Sequence, residues 1–246
     1  MDARNTPSKA IEETLLTKDV LEALIVGKYI TKEGKAKYRW CAHDMVNCEV
    51  GELVLHSHQL PTRLALCHIE DISSICRCKH IEELSLMGCN ITDISMLACI
   101  PNLRSLTLST FDSLGDISIF ADLRYLYYLD LCCCNKITDI SVLSSMPSLV
   151  HIEIDGCDGI TDISPLGELP KLSELVLIKC NGITDLSPLV KLTTLTKLNI
   201  SYTTSITDVS PLKDITTLKL LNLSYCNECL DVSMLSFIPD IIREVE

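Results

Sequence analysis

The chain has 246 residues, 47% of them hydrophobic but only 4% aromatic, and a net charge of −12. Its core must therefore be aliphatic, and from residue 61 onward 13 Lys plus Arg stand against 24 Asp plus Glu. So acidic a surface repels phosphate backbones, which argues against nucleic-acid or anionic-membrane binding by this part of the chain.

Residues 1–60 do not repeat. Residues 1–10 are polar and lack the apolar stretch of a signal peptide. The longest apolar runs, such as Leu24-Ile25-Val26, fall far short of the roughly 20 residues that span a bilayer. Thr6-Pro7-Ser8 followed by Ile11, Leu15, Leu16, Val20, Leu21, Leu24 and Ile25 predicts one or two amphipathic helices. Gly27 and Gly34 punctuate their end, and a basic stretch follows (Lys28, Lys32, Lys35, Lys37, Arg39). This N-terminal segment is expected to cap an array that would otherwise expose its core. The alternative is that residues 1–40 dock a second partner. Leu53, Leu55 and Leu60 suggest an irregular capping strand.

From residue 61 to 237 one unit of 22 or 23 residues recurs eight times. Aspartates mark it at Asp71, Asp93, Asp116, Asp139, Asp162, Asp185, Asp208 and Asp231, each with a serine two residues later. Every unit opens on an apolar alternation, as in Leu84/Leu86, Leu129/Leu131 and Ile152/Ile154, which predicts a strand with one buried face. In the first unit the alternation reads as a degenerate Thr62/Leu64. A small residue follows three positions on: Cys67, Cys89, Cys134, Cys157, Cys180 or Cys226, with Phe111 and Thr203 in the other two units. Then come an isoleucine or leucine, the Asp-apolar-Ser step and a second leucine. A period of this length predicts a solenoid whose neighbouring units share one core. Ser164-Pro165-Leu166 and its counterparts at 187–189 and 210–212 suit a helical first turn, with Ser able to cap and Pro losing no needed donor. So short a unit leaves room for about one turn, so the convex side should be 3₁₀ or irregular. Residues 238–246 remain as a thin C-terminal cap, with Ile241, Ile242 and Val245 to cover the last repeat.

The unit, L-x-x-L-x-L-x-x-C-x-x-I-T-D-I-S-P-L, resembles the leucine-rich repeat. Its I-T-D-[IL]-S-P-L half at 160–166 and 183–189 is similar to the short internalin type, shared with the regulatory subunit of protein phosphatase 1. The cysteine version is also similar to expression-site-associated leucine-rich repeat proteins of protozoan parasites. The resemblance covers about three quarters of the chain. It implies an α/β solenoid: a right-handed arc with a parallel concave sheet, a short 3₁₀ or irregular convex side and an N-terminal helical cap. Internalin-type repeats usually carry Asn where this chain carries Cys.

The aspartate column invites a cation-binding reading. The expectation is instead that each carboxylate accepts backbone N–H groups at its turn. Fourteen cysteines in a chain with no export signal are expected to be reduced thiols. The ladder cysteines are expected to pack as small hydrophobes. Neither they nor Cys132-Cys133-Cys134, Cys76-x-Cys78-x-His80, Cys226-x-x-Cys229 or Cys41-x-His43 with Cys48 make a convincing metal site, so no metal or cofactor is expected.

Residues between the buried strand leucines face the concave side. There Asp130, Glu153, Asp155 and Glu174 fall together over three neighbouring strands with His151 among them. Val176 and Ile178 lie beside them, Lys197 on the next strand, and Tyr128, Tyr202 and Tyr225 flank the area. Aromatic anchors in a charged surround resemble a protein interface, and the partner is expected to be a basic protein surface or peptide. There is no Gly-rich phosphate loop, H-E-x-x-H or nucleophile elbow. A triad drawn from His151, Asp155 and a serine is an easy coincidence in a regular sheet, so no catalysis is expected. The expectation is a cytoplasmic or nuclear scaffold. Within that class, the resemblance implies regulation of a phosphatase or another enzyme. The alternatives are a structural subunit of a large assembly and a substrate adaptor of a ubiquitin ligase.

Overall fold

The computed structural model describes residues 63–67, 72, 75–76, 79, 81–227 and 230–244. The predicted N-terminal cap, the first marker pair Asp71/Ser73, and Cys41, His43, Cys48, Cys78, His80, Cys229 and Val245 lie outside the described residues. Among the described residues nine strands form one parallel sheet in chain order: β1 (Arg63–Cys67), β2 (Glu83–Met87), β3 (Ser105–Ser109), β4 (Tyr128–Cys132), β5 (His151–Asp155), β6 (Glu174–Ile178), β7 (Lys197–Asn199), β8 (Leu220–Asn222) and β9 (Asp240–Ile242).

Strands β1 to β8 bury their alternate leucines or isoleucines, as in Leu129/Leu131 on β4 and Leu175/Leu177 on β6. These line up from strand to strand without slippage, so Leu106, Leu129, Ile152, Leu175, Leu198 and Leu221 form one continuous row. A one-residue slip would turn a whole strand inside out, so the burial pattern sets the register.

Two expectations fail at the ends of the array. In the first unit the inward pair is Leu64/Leu66, paired with Leu84/Leu86, rather than Thr62/Leu64. Cys67 therefore sits opposite Met87 and is not a ladder residue. At the other end, Asp240–Ile242 continues the sheet as a ninth strand instead of only covering it. Strands β7 and β8 stop after three residues because Asn199 and Asn222 turn back on their own backbone. Their Oδ1 atoms accept the N–H of Ser201 and Ser224 at 3.0 and 2.9 Å.

The convex side is a row of short 3₁₀ helices, at 95–99, 118–122, 141–145, 164–168, 187–191, 210–214 and 233–235. Their starts correct the expected role of serine. The capping position is an aliphatic residue such as Ile163, and its side chain bonds nothing there. Ser164 is the first helical residue, and its N–H donates to Asp162 Oδ1 at 2.8 Å. The same bond recurs at Asp93, Asp116, Asp139, Asp185, Asp208 and Asp231, at 2.7–2.9 Å. The aspartate column is thus a set of local turns, as expected. Donation from the serine two residues on, chiefly from its N–H but at Asp185 chiefly from its hydroxyl, holds each carboxyl below its usual range.

The small-residue position is a hydrogen-bonding ladder as well as a packing site. The Cys157 thiol points at Leu131 O (3.5 Å) and its sulfur accepts the N–H of Cys134 (3.3 Å). Thr203 does the same with a hydroxyl: it donates to Leu177 O at 2.8 Å and accepts the N–H of Cys180 at 3.3 Å. Cys89, Cys134, Cys157 and Cys180 are buried, and the last three are free thiols. Burial pushes the Cys180 thiol up to about 12, so it stays protonated and inert. No group of three or more metal-binding side chains forms among the described residues.

The reduced-thiol expectation is corrected at one place. Cys76 and Cys99 are disulfide-bonded, with Cα atoms 4.8 Å apart. The first two convex turns are 22 residues apart, Ile72/Ile75 matching Ile94/Leu97, so Cys76 and Cys99 sit one position off equivalent places on neighbouring turns and within bonding reach.

Candidate functional site

The three concave columns follow the register. Tyr128, His151, Glu174 and Lys197 form one; Asp130, Glu153, Val176 and Asn199 the next; Cys132, Asp155 and Ile178 the third. Parallel pairing thus brings the predicted residues of β4 to β7 together. Tyr202 and Tyr225 lie apart, on the loops after β7 and β8. Their rings stack at 4.4 Å, with Lys179 Nζ 5.3 Å from the Tyr202 ring.

Within the acidic group the carboxylates play different parts. Asp130 and Asp155 are floor residues, 6% and 8% exposed, rather than the open surface charges the sequence suggested. Burial, Glu153 and Asp155 together push the Asp130 carboxyl up to about 7, against a bond from Thr107. Glu153 and Glu174 are half-buried on the rim. Glu174 is neutralised: Lys197 Nζ lies at 2.7 Å and His151 Nδ1 at 3.3 Å. Glu153 accepts the Tyr128 hydroxyl at 3.3 Å and has His151 Nε2 at 3.9 Å. No lysine or arginine pairs with Glu153 among the described residues. Burial and the carboxylates Asp130 and Glu153 push the Tyr128 phenol well above its usual range, so it remains a donor.

His151 packs against Tyr128, with ring centroids 4.8 Å apart, and its ring nitrogens face the carboxylates of Glu174 and Glu153. Its Nε2 is buried with no hydrogen-bond partner. The triad drawn in the sequence is not the arrangement these contacts make.

Sequence reading missed two features. Tyr125 and Tyr127, before β4, are 61% and 44% exposed and extend the aromatic flank of Tyr128. The signal was a Tyr-x-Tyr-Tyr run in a chain with seven tyrosines in all. A second ladder also runs beside the cysteines. Asn135 Oδ1 accepts the N–H of Asp158, Asp158 that of Asn181, and Asn181 that of Thr204, at 2.8–3.3 Å. Its 23-residue spacing was visible. A shallow hollow on the flank, lined by Thr194, Thr196, Thr217 and Phe237, lies away from the carboxylates. The hydroxyls of those threonines already bond main-chain carbonyls, so it offers little polar chemistry.

No helix among the described residues is long and apolar enough to cross a membrane. A family model described as Leucine Rich repeat matches residues 77–98 and 191–210. No curated protein matches the sequence. Among solved structures, internalin C2 of Listeria monocytogenes strain 4b F2365 is 28% identical with a TM-score of 0.63, over 74% of this chain and 80% of that one. The leucine-rich repeat domain of the type III effector XopL is 16% identical with a TM-score of 0.61, over 74% of this chain and 68% of that one, and bears on the fold alone. The continuous leucine rows, the one-turn convex segments and these matches together make the chain a leucine-rich repeat protein with internalin-like repeats.

Proposed function

We propose that this chain is a protein-interaction scaffold, as leucine-rich repeat proteins generally are, and that its concave face over β4 to β6 binds a basic protein surface or peptide. The observation that carries the reading is the state of Glu153. It stands on the rim beside two buried carboxylates; among the described residues no lysine or arginine pairs with it, and His151 Nε2 lies 3.9 Å away. Val176 and Ile178 supply half-buried apolar surface beside it, and Tyr127 and Tyr128 supply aromatic area. A partner cation placed here gains a charge-assisted contact, and the aromatic flank excludes water around it.

The test is affinity capture from lysate with wild type and Glu153→Lys, at low and raised salt, with the far-UV spectrum and melting curve as folding controls. Asp155 is left alone because it is buried. Wild type should retain a basic partner that salt displaces and that the variant loses. The same partners on both proteins, or partners without a basic surface, would sink the proposal. Regulation of a phosphatase or another enzyme is a special case, to be judged by assaying the captured partner with and without this chain.

One observation favours a second reading. Phe237, just before β9, and Ile242, on β9 itself, are each 40% exposed. Their exposure supports a structural subunit docked through that edge. In that case Glu153→Lys leaves the partners unchanged, and charged substitutions at Phe237 and Ile242 release them. The adaptor reading depends on residues 1–40, outside the described part.

A further inference from the structure

Cys132 and Cys133 are consecutive residues at the end of β4, where the chain turns from the sheet towards the cysteine ladder. Cys132 lies on the concave side, opposite Asp155 of β5. Cys133 adopts a left-handed backbone, φ 53°. The two sulfurs are 3.7 Å apart, and both residues are free and half-buried. Cys134 takes no part. It is fully buried, and its thiol faces the carbonyl oxygens of Leu108 and Cys132 at 3.4 Å each. In the next unit Gly156 stands beside the pair. A β-carbon there would lie 3.4 Å from Cys133 Sγ, so glycine leaves that side of the sulfur open.

Two thiols in contact can close directly or around a third atom, and the geometry discriminates. A disulfide usually needs Cα atoms about 4.4–6.8 Å apart, whereas a trans peptide holds adjacent Cα atoms at about 3.8 Å. A single pyramidal trivalent atom bonded to both sulfurs at about 2.3 Å, with an angle of about 100°, sets them about 3.5 Å apart, within a small side-chain rotation of the observed 3.7 Å. The observed separation fits the bridged form without moving the backbone.

The protonation state narrows the bridging atom. Burial and the neighbouring Cys133 sulfur push the Cys132 thiol up to about 12. A divalent cation needs deprotonated sulfur and further ligands, and no group of three metal-binding side chains forms among the described residues. A trivalent arsenic centre condenses with protonated thiols.

We propose that Cys132 and Cys133 form a vicinal dithiol site that captures a trivalent organoarsenical. In the step, R–As=O and two S–H groups give R–As(S)₂ and one water. Two As–S bonds form and the As=O bond breaks. Its oxygen leaves with both thiol protons, and arsenic stays trivalent, so no oxidant or reductant is needed. The site stands independently of the concave-face reading.

The test treats the full chain with phenylarsine oxide in excess glutathione, followed by peptide mapping. Because other cysteines are present, the location of the adduct decides. A phenylarsenic bridge should map to the peptide holding Cys132 and Cys133, survive the monothiol, and be removed by 2,3-dimercaptopropanol. Cys133→Ser should lose that adduct. An adduct that maps elsewhere, is stripped by glutathione, or remains on this peptide in Cys133→Ser overturns the proposal. Should the variant fail to fold, the wild-type map and its monothiol resistance decide by themselves.

Discussion

Replacing Cys157 by threonine or by valine separates the two jobs of the ladder. The side chain is fully buried; it donates to Leu131 O at 3.5 Å and accepts the N–H of Cys134 at 3.3 Å. Thr203 shows that a hydroxyl fits the equivalent position and makes both bonds, with a donor distance of 2.8 Å. Threonine and valine share β-branching and nearly the same volume, so their packing and rotamer costs largely cancel. What differs is the hydroxyl. Valine strips the Cys134 N–H of its acceptor and the Leu131 carbonyl of its donor. Leaving a buried polar group unpaired costs about 1–3 kcal/mol, so Cys157→Val should fall at least that far below Cys157→Thr. For a chain of this size that is a gap of roughly 2–12 °C in melting temperature. Urea denaturation followed by circular dichroism reads the difference as a shifted midpoint at constant slope. Equal midpoints for the two variants would refute the view that this column is held by hydrogen bonds as well as by volume.

Two further outcomes rest on close approach and on charge. Gly182→Ala should destabilise the array by more than a typical surface change. The new β-carbon would lie 2.6 Å from the Ile160 carbonyl oxygen and closer still to that of Asp158, both main-chain atoms that cannot swing away; a melt within a degree of wild type would contradict this. Asp130 has a folded pKa of about 7, above the carboxylate range, so its burial is least costly when it is protonated. Its penalty is absent below the unfolded pKa, grows as pH rises towards 7 and is complete above it. Asp130→Asn should therefore gain stability over wild type at pH 8, and the gain should shrink as pH falls to 5. A pH-independent difference, measured by denaturant titration, would remove Asp130 from the account.

How much of this was legible depends on what each residue touches. The leucine rows and the aspartate turns announce themselves because they are repeated and local. Asp162 bonds a serine two residues away, and Ile152 needs only its neighbours on adjacent turns. The exceptions fall where the repeat is not its own best guide. Leu64/Leu66 displaces Thr62/Leu64 because burial of two leucines outweighs the spacing of the aspartates. Strand β9, Asp240–Ile242, breaks the leucine alternation that marks the strands before it. The concave positions of Asp130 and Asp155 followed from alternation, but their burial did not. The groups that act on the Asp130 carboxyl, Thr107 and Glu153, stand opposite it one whole unit away on either side. Cys76–Cys99 required knowing that two non-ladder cysteines meet across neighbouring turns.

The unbroken register has a consequence for how such a chain can change. A row such as Leu129, Ile152 and Leu175 meets the same kind of neighbour on either side, whichever turn it belongs to. Copying or excising one whole 23-residue segment from the middle would therefore join like to like. It would lengthen or shorten the recognition surface by about 4.8 Å, one strand spacing. The 22-residue step from Leu84 to Leu106 keeps the same row as the 23-residue steps after it, so the turns between strands absorb a difference of one residue. Inheritance in whole units lets the acidic patch be transplanted, doubled or erased as a block while the fold around it is conserved.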